Sequence, residues 1–242
     1  MLSFNILFPV YNEENRLEEG ITKTLQFLEE EMPDEDIRLT IVDNASFDRT
    51  EQIARRLEET YEKVSYLRIA EKGVGAAFRA GAAENEADII GYMDVDLSTD
   101  LRTLRIMRKI FATRPYVMMV NASKQAKKSI TIGRSPLRQL TSKGLTFVMK
   151  AALNMQASDA ICGFKFFRRE FLKSLMLQAD ETENGWFYII ELLIRAERSG
   201  ARVEEVPVIY TEVEGGHVNV IRQSADYVKN ISKLRRRLKH GI

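Results

Sequence analysis

Four short apolar runs, Phe4–Val10, Ile37–Val42, Val64–Ile69 and Asp88–Met93, alternate with stretches that carry helical spacing. The runs have the length and density of buried strands. Leu17, Ile21, Leu25 and Leu28 mark one helix face between the first two runs, and Ile53 and Leu57 mark another between the next two. Asp48, followed three residues later by Glu51, has the spacing of a capping box for that second helix. The small-residue segment Gly73–Ala83 predicts a third helix. This alternation predicts an α/β chain, a mainly parallel central sheet with helices on both faces. Sheets of that kind bind ligands outside the carboxyl ends of their strands. Asn12, Asp43, Gly73 and Asp94 all fall at such ends, which predicts one shared crevice.

The rest of the chain is less regular. Val117–Ala122 reads as a strand, and the basic, polar segment Ser123–Arg138 reads as a mobile or functional loop. Leu140–Leu153 predicts a helix, Phe164–Phe167 a short strand and Trp186–Ala196 an apolar helix. Val203–Val213 contains Pro207, which favours an edge strand or a bulge. Val218–Leu238 predicts a final helix with Lys229, Lys233, Arg235, Arg236, Arg237 and Lys239 toward its end. No repeat or low-complexity linker divides the 242 residues, so the expectation is one domain over 1–216 and a basic helical extension over 217–242.

Composition removes several functional classes. A formal net charge of +1 gives no general nucleic-acid footprint. The single cysteine, Cys162, allows neither an intrachain disulfide framework nor a cysteine metal cluster. His217 and His240 are too far apart in sequence to read as a metal-ligand pair. The first residues lack the basic flank and long apolar core of a signal peptide, and no run approaches the roughly 20 apolar residues of a membrane span. The expectation is a soluble cytoplasmic protein.

Chemistry concentrates where the fourth run ends, in Asp94-Val-Asp96. If the strand stays extended, the two carboxylates point to one face, because strand side chains alternate. Such a pair can hold a hard divalent cation, Mg²⁺ or Mn²⁺, and the cation can neutralise a phosphate-bearing ligand. The bland alternative is a strand ending in polar turn residues. Pro9-Val-Tyr-Asn-Glu13 and Asp43-Asn-Ala-Ser46 also read alone as ordinary turns. Lys124, Arg134 and Arg138 could bind an anion or be a solvated basic loop.

Taken in order, these segments resemble the family 2 glycosyltransferases, whose nucleotide-sugar-binding fold is called GT-A. The matching residues are Pro9–Glu13, Val42–Thr50, Gly73–Ala77, Asp94–Asp96, Gly163–Arg169, Glu191–Leu193 and Glu205–Val208. The resemblance is closest to the branch that glycosylates polyprenyl phosphates, the dolichyl-phosphate mannosyl- and glucosyltransferase type. It implies that Pro9, Tyr11, Asn12, Glu13, Asp43 and Gly73 contact a nucleoside-diphosphate sugar. Asp94 and Asp96 would ligate Mg²⁺ or Mn²⁺ on its diphosphate. Lys124 and Arg138 would hold the acceptor phosphate, with Asp159 and Gly163–Arg168 shaping that side. The implied reaction is inverting hexosyl transfer from a UDP- or GDP-sugar to a polyprenyl phosphate or a saccharide.

Such a reaction needs no strong base. A phosphate monoester has its second pKa at about 6 and is largely dianionic near neutral pH. The protein must align two anionic substrates and stabilise the leaving group. A lipid acceptor also makes the basic C-terminal helix a candidate peripheral contact with the inner face of a membrane. The chain departs from the family pattern at Val74, Asp100, Ile189 and Lys124. Val74, Asp100 and Ile189 motivate one rival, a catalytically silent nucleotide-sugar-binding protein. Similar sheets make sugar nucleotides, so a nucleotidyltransferase is another.

Overall fold

The computed structural model describes residues 1–213 and 220–240, with side chains described outside 220–225. The expected boundary at 216/217, His217 and the first residues of the expected final helix lie outside the described residues.

The first half follows the predicted alternation: β1 (Phe4–Val10), α1 (Leu17–Glu31), β2 (Ile37–Asn44), α2 (Thr50–Thr60), β3 (Val64–Ile69), α3 (Val74–Ala83) and β4 (Ile89–Met93). Then come α4 (Arg102–Thr113), β5 (Val117–Ser123), β6 (Ile130–Ile132), α5 (Pro136–Leu153), β7 (Phe164–Arg168) and α6 (Arg169–Met176). The chain closes with α7 (Phe187–Arg198), β8 (Arg202–Pro207), β9 (Ile209–Thr211) and α8 (Val220–Lys239). Seven strands form one sheet in the order β3-β2-β1-β4-β7-β5-β8, and β6 pairs with β9 beside it. Every pairing in the large sheet is parallel except those of β7, which runs antiparallel to both neighbours. The chain crosses from β3 to β4 over the far side of β1, so the strand order reverses there and a crevice opens between the ends of β1 and β4.

Each face of the sheet has its own core. Phe4, Ile6 and Phe8 of β1 pack with Leu17 and Ile21 of α1, Leu57 of α2 and Leu104 and Phe111 of α4. Leu7 and Tyr92 face the other way, toward Phe78 of α3, Leu192 and Leu193 of α7 and Tyr227, Ile231 and Leu234 of α8. Burial of β1 residues into both cores is why its sequence is apolar except at Asn5, whose side-chain oxygen accepts from the Thr40 hydroxyl at 3.0 Å.

Several expectations change. Glu51 does not close a capping box; its carboxylate binds Arg55 and Arg68, and only Asp48 accepts an amide, from Thr50 at 2.9 Å. The Ser123–Arg138 segment is not all loop, because β6 forms by pairing with β9 and α5 begins at Pro136, with the Ser135 hydroxyl accepting the Arg138 amide. Helices α4 and α6 add to the elements expected from sequence. Pro207 ends β8, which is indeed an edge strand of the large sheet.

Candidate active site

A cavity of about 900 Å³ opens at the carboxyl ends of β1 and β4. Pro9, Tyr11, Asn12, Glu13, Gly73, Asp94, Asp96, Lys124 and Arg138 all line it, so residues far apart in sequence converge as predicted.

The wall after β1 is built by cross-links between strand-end loops. The Asn12 amide donates to the Ser46 hydroxyl at 3.0 Å, and its side-chain oxygen accepts from the Phe47 amide at 3.0 Å. Asn12 holds a φ of 54°, which asparagine tolerates better than most residues. Asn44 ties three segments, donating to the Val10 carbonyl at 2.7 Å and accepting from the Gly73 amide at 3.0 Å. Gly73 has a φ of 134°, and a Cβ there would stand 2.0 Å from the Asn184 carbonyl oxygen. Asp159 and Gly163–Arg168, expected to shape the acceptor side, do not line the cavity, and of the residues expected to contact the donor neither does Asp43. It is buried behind the wall, accepting from the Ser46 amide, the Tyr66 hydroxyl and Arg68 at 2.8, 2.9 and 3.0 Å.

The carboxylate pair sits on a turn rather than on extended strand. β4 ends at Met93, the Leu97 amide donates to the Asp94 carbonyl at 3.3 Å, and Leu97 has a φ of 53°. The same-face alternation expected for Asp94 and Asp96 therefore does not apply; a turn around buried Val95 brings them to the cavity instead. One Asp96 oxygen accepts from the Ser98 amide and hydroxyl at 2.9 and 2.7 Å. Burial, then the neighbouring Asp96, push the Asp94 carboxyl up to about 7, with Glu13 adding to the rise and Lys124 and Lys165 opposing it. Glu13 is itself raised, first by burial and against the pull of Arg16. Burial first and the Asp96 charge second disfavour an ionised Asp94, a cation placed between the two carboxylates would offset both, and their oxygen donors are hard. Asp94 and Asp96 thus fit a divalent cation.

Two glycines make room for this turn. A Cβ on Gly163 would lie 1.8 Å from an Asp94 carboxylate oxygen, and one on Gly20 of α1 would lie 2.2 Å from the Val95 carbonyl oxygen. Gly20→Ala is expected to cost stability even though alanine is favoured over glycine inside helices by about 1 kcal/mol. It should also weaken Mn²⁺-dependent nucleotide binding in calorimetry by displacing the turn. Unchanged binding would show that α1 gives way and the turn does not.

The opposite wall is cationic. Lys124 is buried, its amine 3.4 Å from Asp159 and over the Tyr210 ring. Burial would lower its pKa, but the Asp159 carboxylate beside it opposes burial and the pKa stays raised. Its charge is therefore already partnered within the protein. Arg138 pairs closely with Glu212. Arg134 donates through one Nη to the Arg138 carbonyl at 3.2 Å, while its buried Nε makes no hydrogen bond among the described residues and lies 3.9 Å from a Glu212 carboxylate oxygen.

Sequence reasoning missed two cations near the site, Lys72 and Arg16. Lys72 stacks over the Tyr11 ring at 3.7 Å and lines the cavity, supplying charge close to the departure at Val74. Its signal was its place directly before Gly73. Arg16 forks onto Glu13 at 2.8 and 3.0 Å. Lys165, inside the Gly163–Arg168 stretch expected to shape the acceptor side, is fully buried on β7 and donates to the Cys162 carbonyl at 2.6 Å, and burial lowers its pKa to about 8. The departures at Asp100 and Ile189 have structural accounts: Asp100 accepts the Arg102 amide at the start of α4, and Ile189 is core. Glu191 is buried away from the cavity wall, bonded to Arg195 and to Arg237 of α8 at 2.7 and 3.0 Å.

Comparison with known proteins agrees with this geometry. The glycosyl transferase family 2 pattern matches residues 5–176. The chain belongs to that family. Among relatives of this family 2 glycosyltransferase, dolichyl-phosphate beta-glucosyltransferase ALG5A of Trichomonas vaginalis is 26% identical over 236 residues, covering 93% of this chain and 72% of the relative. The dolichyl-phosphate beta-glucosyltransferase of Saccharomyces cerevisiae is 25% identical, covering 98% and 75%. Glycosyltransferase AglD of Haloferax volcanii is 26% identical over 90% of this chain, which spans only 34% of AglD. A solved glucosyl-3-phosphoglycerate synthase from Mycobacterium tuberculosis, in complex with UDP, superposes with a TM-score of 0.70 at 19% identity, covering 98% of this chain and 80% of its own. That likeness establishes the GT-A fold. No described helix is long and apolar enough to cross a membrane.

Proposed function

We propose that this glycosyltransferase moves glucose from a nucleoside-diphosphate sugar, UDP-glucose in first place, to a polyprenyl phosphate with inversion at the sugar. The observation that carries it is a single cavity with a carboxylate pair on one side and the Lys124, Arg134 and Arg138 wall on the other. Such a cavity can hold two anionic substrates at once. The names of the dolichyl-phosphate relatives support a lipid phosphate acceptor and glucose as the sugar, and neighbours solved with Mn²⁺ and UDP-glucose support the uridine donor and the metal.

On this reading Asp94 and Asp96 would hold Mg²⁺ or Mn²⁺, which when bound supplies charge neutralisation on the donor diphosphate. Tyr11, exposed Phe47 and Lys72 form the rim that receives the nucleoside; Tyr11 and Phe47 meet edge to face with ring centres 6.0 Å apart. Arg134 and Arg138 would offer the acceptor phosphate guanidinium groups that share Glu212 as their ion-pair partner, the Arg134 Nε standing 3.9 Å from its carboxylate without a hydrogen bond. Lys124 backs this wall and is kept in place by Asp159. An acceptor that arrives ionised attacks without a protein base, so the chain's task is alignment and electrostatics.

The test pairs donors with acceptors. Radiolabel transfer from UDP-glucose to a short-chain polyprenyl phosphate is expected, and Arg134→Gln should lower kcat/KM for the acceptor by about 10²-fold with donor affinity retained. Transfer only to a soluble saccharide would reject the acceptor. Donor binding without turnover to any acceptor would favour a silent binding protein.

A further inference from the structure

From Lys124 to Ser158 the sequence holds seven Lys or Arg and no Asp or Glu, in a chain whose formal net charge is only +1. Most of this stretch is α5, and α5 is apolar on two opposite sides. Thr146, Met149 and Leu153 are buried against the body. On the outer side Leu137, Leu140 and Phe147 are 70%, 68% and 71% exposed, and Val148 is exposed beside them. Helical periodicity places these four on one stripe. Gly144 lies on the same stripe, and a Cβ there would meet nothing within 4 Å. Exposed Lys143 and Lys150 flank it. Just upstream, Ile130 and Ile132 of β6 are exposed, preceded by exposed Lys127 and Lys128. Single exposed apolar residues are ordinary, but a continuous stripe marks a surface that meets something. Arg138, Thr141, Ser142 and Leu145, also on α5, line the cavity.

We propose that the outer face of α5, with β6, docks on an anionic lipid bilayer, its apolar stripe entering the headgroup boundary and its lysines meeting lipid phosphates. Charge selects this occupant. A second copy of the chain packed face to face would set the same lysines against one another, because a two-fold interface repeats one patch on both subunits. A bilayer of anionic lipid offers negative charge around an apolar interior, which matches a cation-flanked apolar stripe. The consequence rests on the lipid-acceptor reading: a helix lying in the interface would present its cavity-lining residues to a phosphate at headgroup depth.

The experiment is vesicle co-sedimentation of the full chain with phosphatidylcholine alone and with added phosphatidylglycerol. Wild type should pellet with the anionic vesicles and be released by salt. Leu140→Gln with Phe147→Gln, and separately Lys143→Glu with Lys150→Glu, should each weaken that binding by at least about tenfold at unchanged melting temperature. All four side chains are exposed, so the folded state loses no packing and gives up only the exposed hydrogen bond from Lys150 to the Gln156 carbonyl. Unchanged binding in both variants, no wild-type binding, or a wild-type dimer that the Gln variant dissociates would overturn the proposal. So would binding of an acidic protein in preference to lipid. Transfer to acceptor in detergent and in vesicles separates the two readings. If the function is right and the surface is right, the Gln variant loses only the vesicle reaction. Vesicle binding by wild type with no transfer in either format would reject the acceptor and leave the surface standing.

Discussion

Asp96→Asn is expected to lower transfer by roughly 10²–10³-fold while leaving the metal-free protein as stable as wild type or more so. The asparagine side-chain oxygen can still accept from the Ser98 amide and hydroxyl, so the turn keeps its hydrogen bonds. What disappears is a like charge beside Asp94. Asp94 is held at about 7 against an ordinary 3.8, by burial first and by Asp96 second. A folded pKa above the unfolded one means that the folded state binds the proton more tightly. The associated stability is fully present below about pH 3.8 and is lost as pH rises through about 7. Metal-free wild type should therefore melt at lower temperature at about pH 8 than at about pH 5 on this account, and the Asn variant should show a shallower decline. Mn²⁺ requires the ionised carboxylates, so it should bind more tightly toward the alkaline end and release protons on binding. Thermal melts at both pH values, with and without Mn²⁺, read all of this. A lower melting temperature for metal-free Asp96→Asn with donor affinity intact would make the pair structural and remove the metal site.

Truncation after Asp226 is expected to unfold or severely weaken the protein. Tyr227, Ile231 and Leu234 of α8 are buried in the core shared with α7, and Tyr227 packs on Phe187 with ring centres 6.2 Å apart. Full burial of such side chains is worth about 1.5–3 kcal/mol each, so the three together contribute about 4–9 kcal/mol as an upper estimate. Typical domains have only about 5–15 kcal/mol in total. Polar contacts add to the loss: Asn230 donates to Glu183 at 2.7 Å, Lys233 pairs with Asp180, and Arg237 reaches both Glu191 and the Gln178 carbonyl. Calorimetry should show a melting temperature roughly 10–35 °C lower. An unchanged melting temperature would mean that the helix is a detachable tail. The basic residues of this helix are thus divided in their work. Lys233 and Arg237 hold it to the body, whereas Lys229, Arg235, Arg236 and Lys239 face outward. Replacing the outward four is the clean way to ask whether they touch a membrane.

The elements legible in the sequence are those whose signal is local. β1 and β3 occupy the residues expected of them because a dense apolar run bounded by polar residues is enough to define a buried strand. The crevice was legible for a similar reason: parallel alternation sends strand-end residues to one edge of the sheet, and Asn12, Gly73 and Asp94 meet there. Helix α4 was obscured by its arginines, although Leu104, Met107 and Phe111 keep helical spacing. Tertiary structure alone decided the rest. β6 exists only because β9 lies beside it, and three residues with two exposed isoleucines announce no strand on their own. The Asp94–Asp96 turn depends on Gly20 leaving room for Val95 and on Gly163 leaving room for the Asp94 carboxylate, contacts made across 75 and 69 positions of chain, by about that count. Asp43 carries the sequence signature of a ligand contact, yet Arg68 and Tyr66 claim its carboxylate from the next strand. The sequence by itself determined the four strands of the first half and which edge of the sheet gathers polar residues, since both follow from local apolar pattern and chain alternation. Which of those polar side chains remain free for a ligand was decided by the fold, because a charge buried during folding is held by whichever opposite charge or hydrogen-bond donor packing brings within reach.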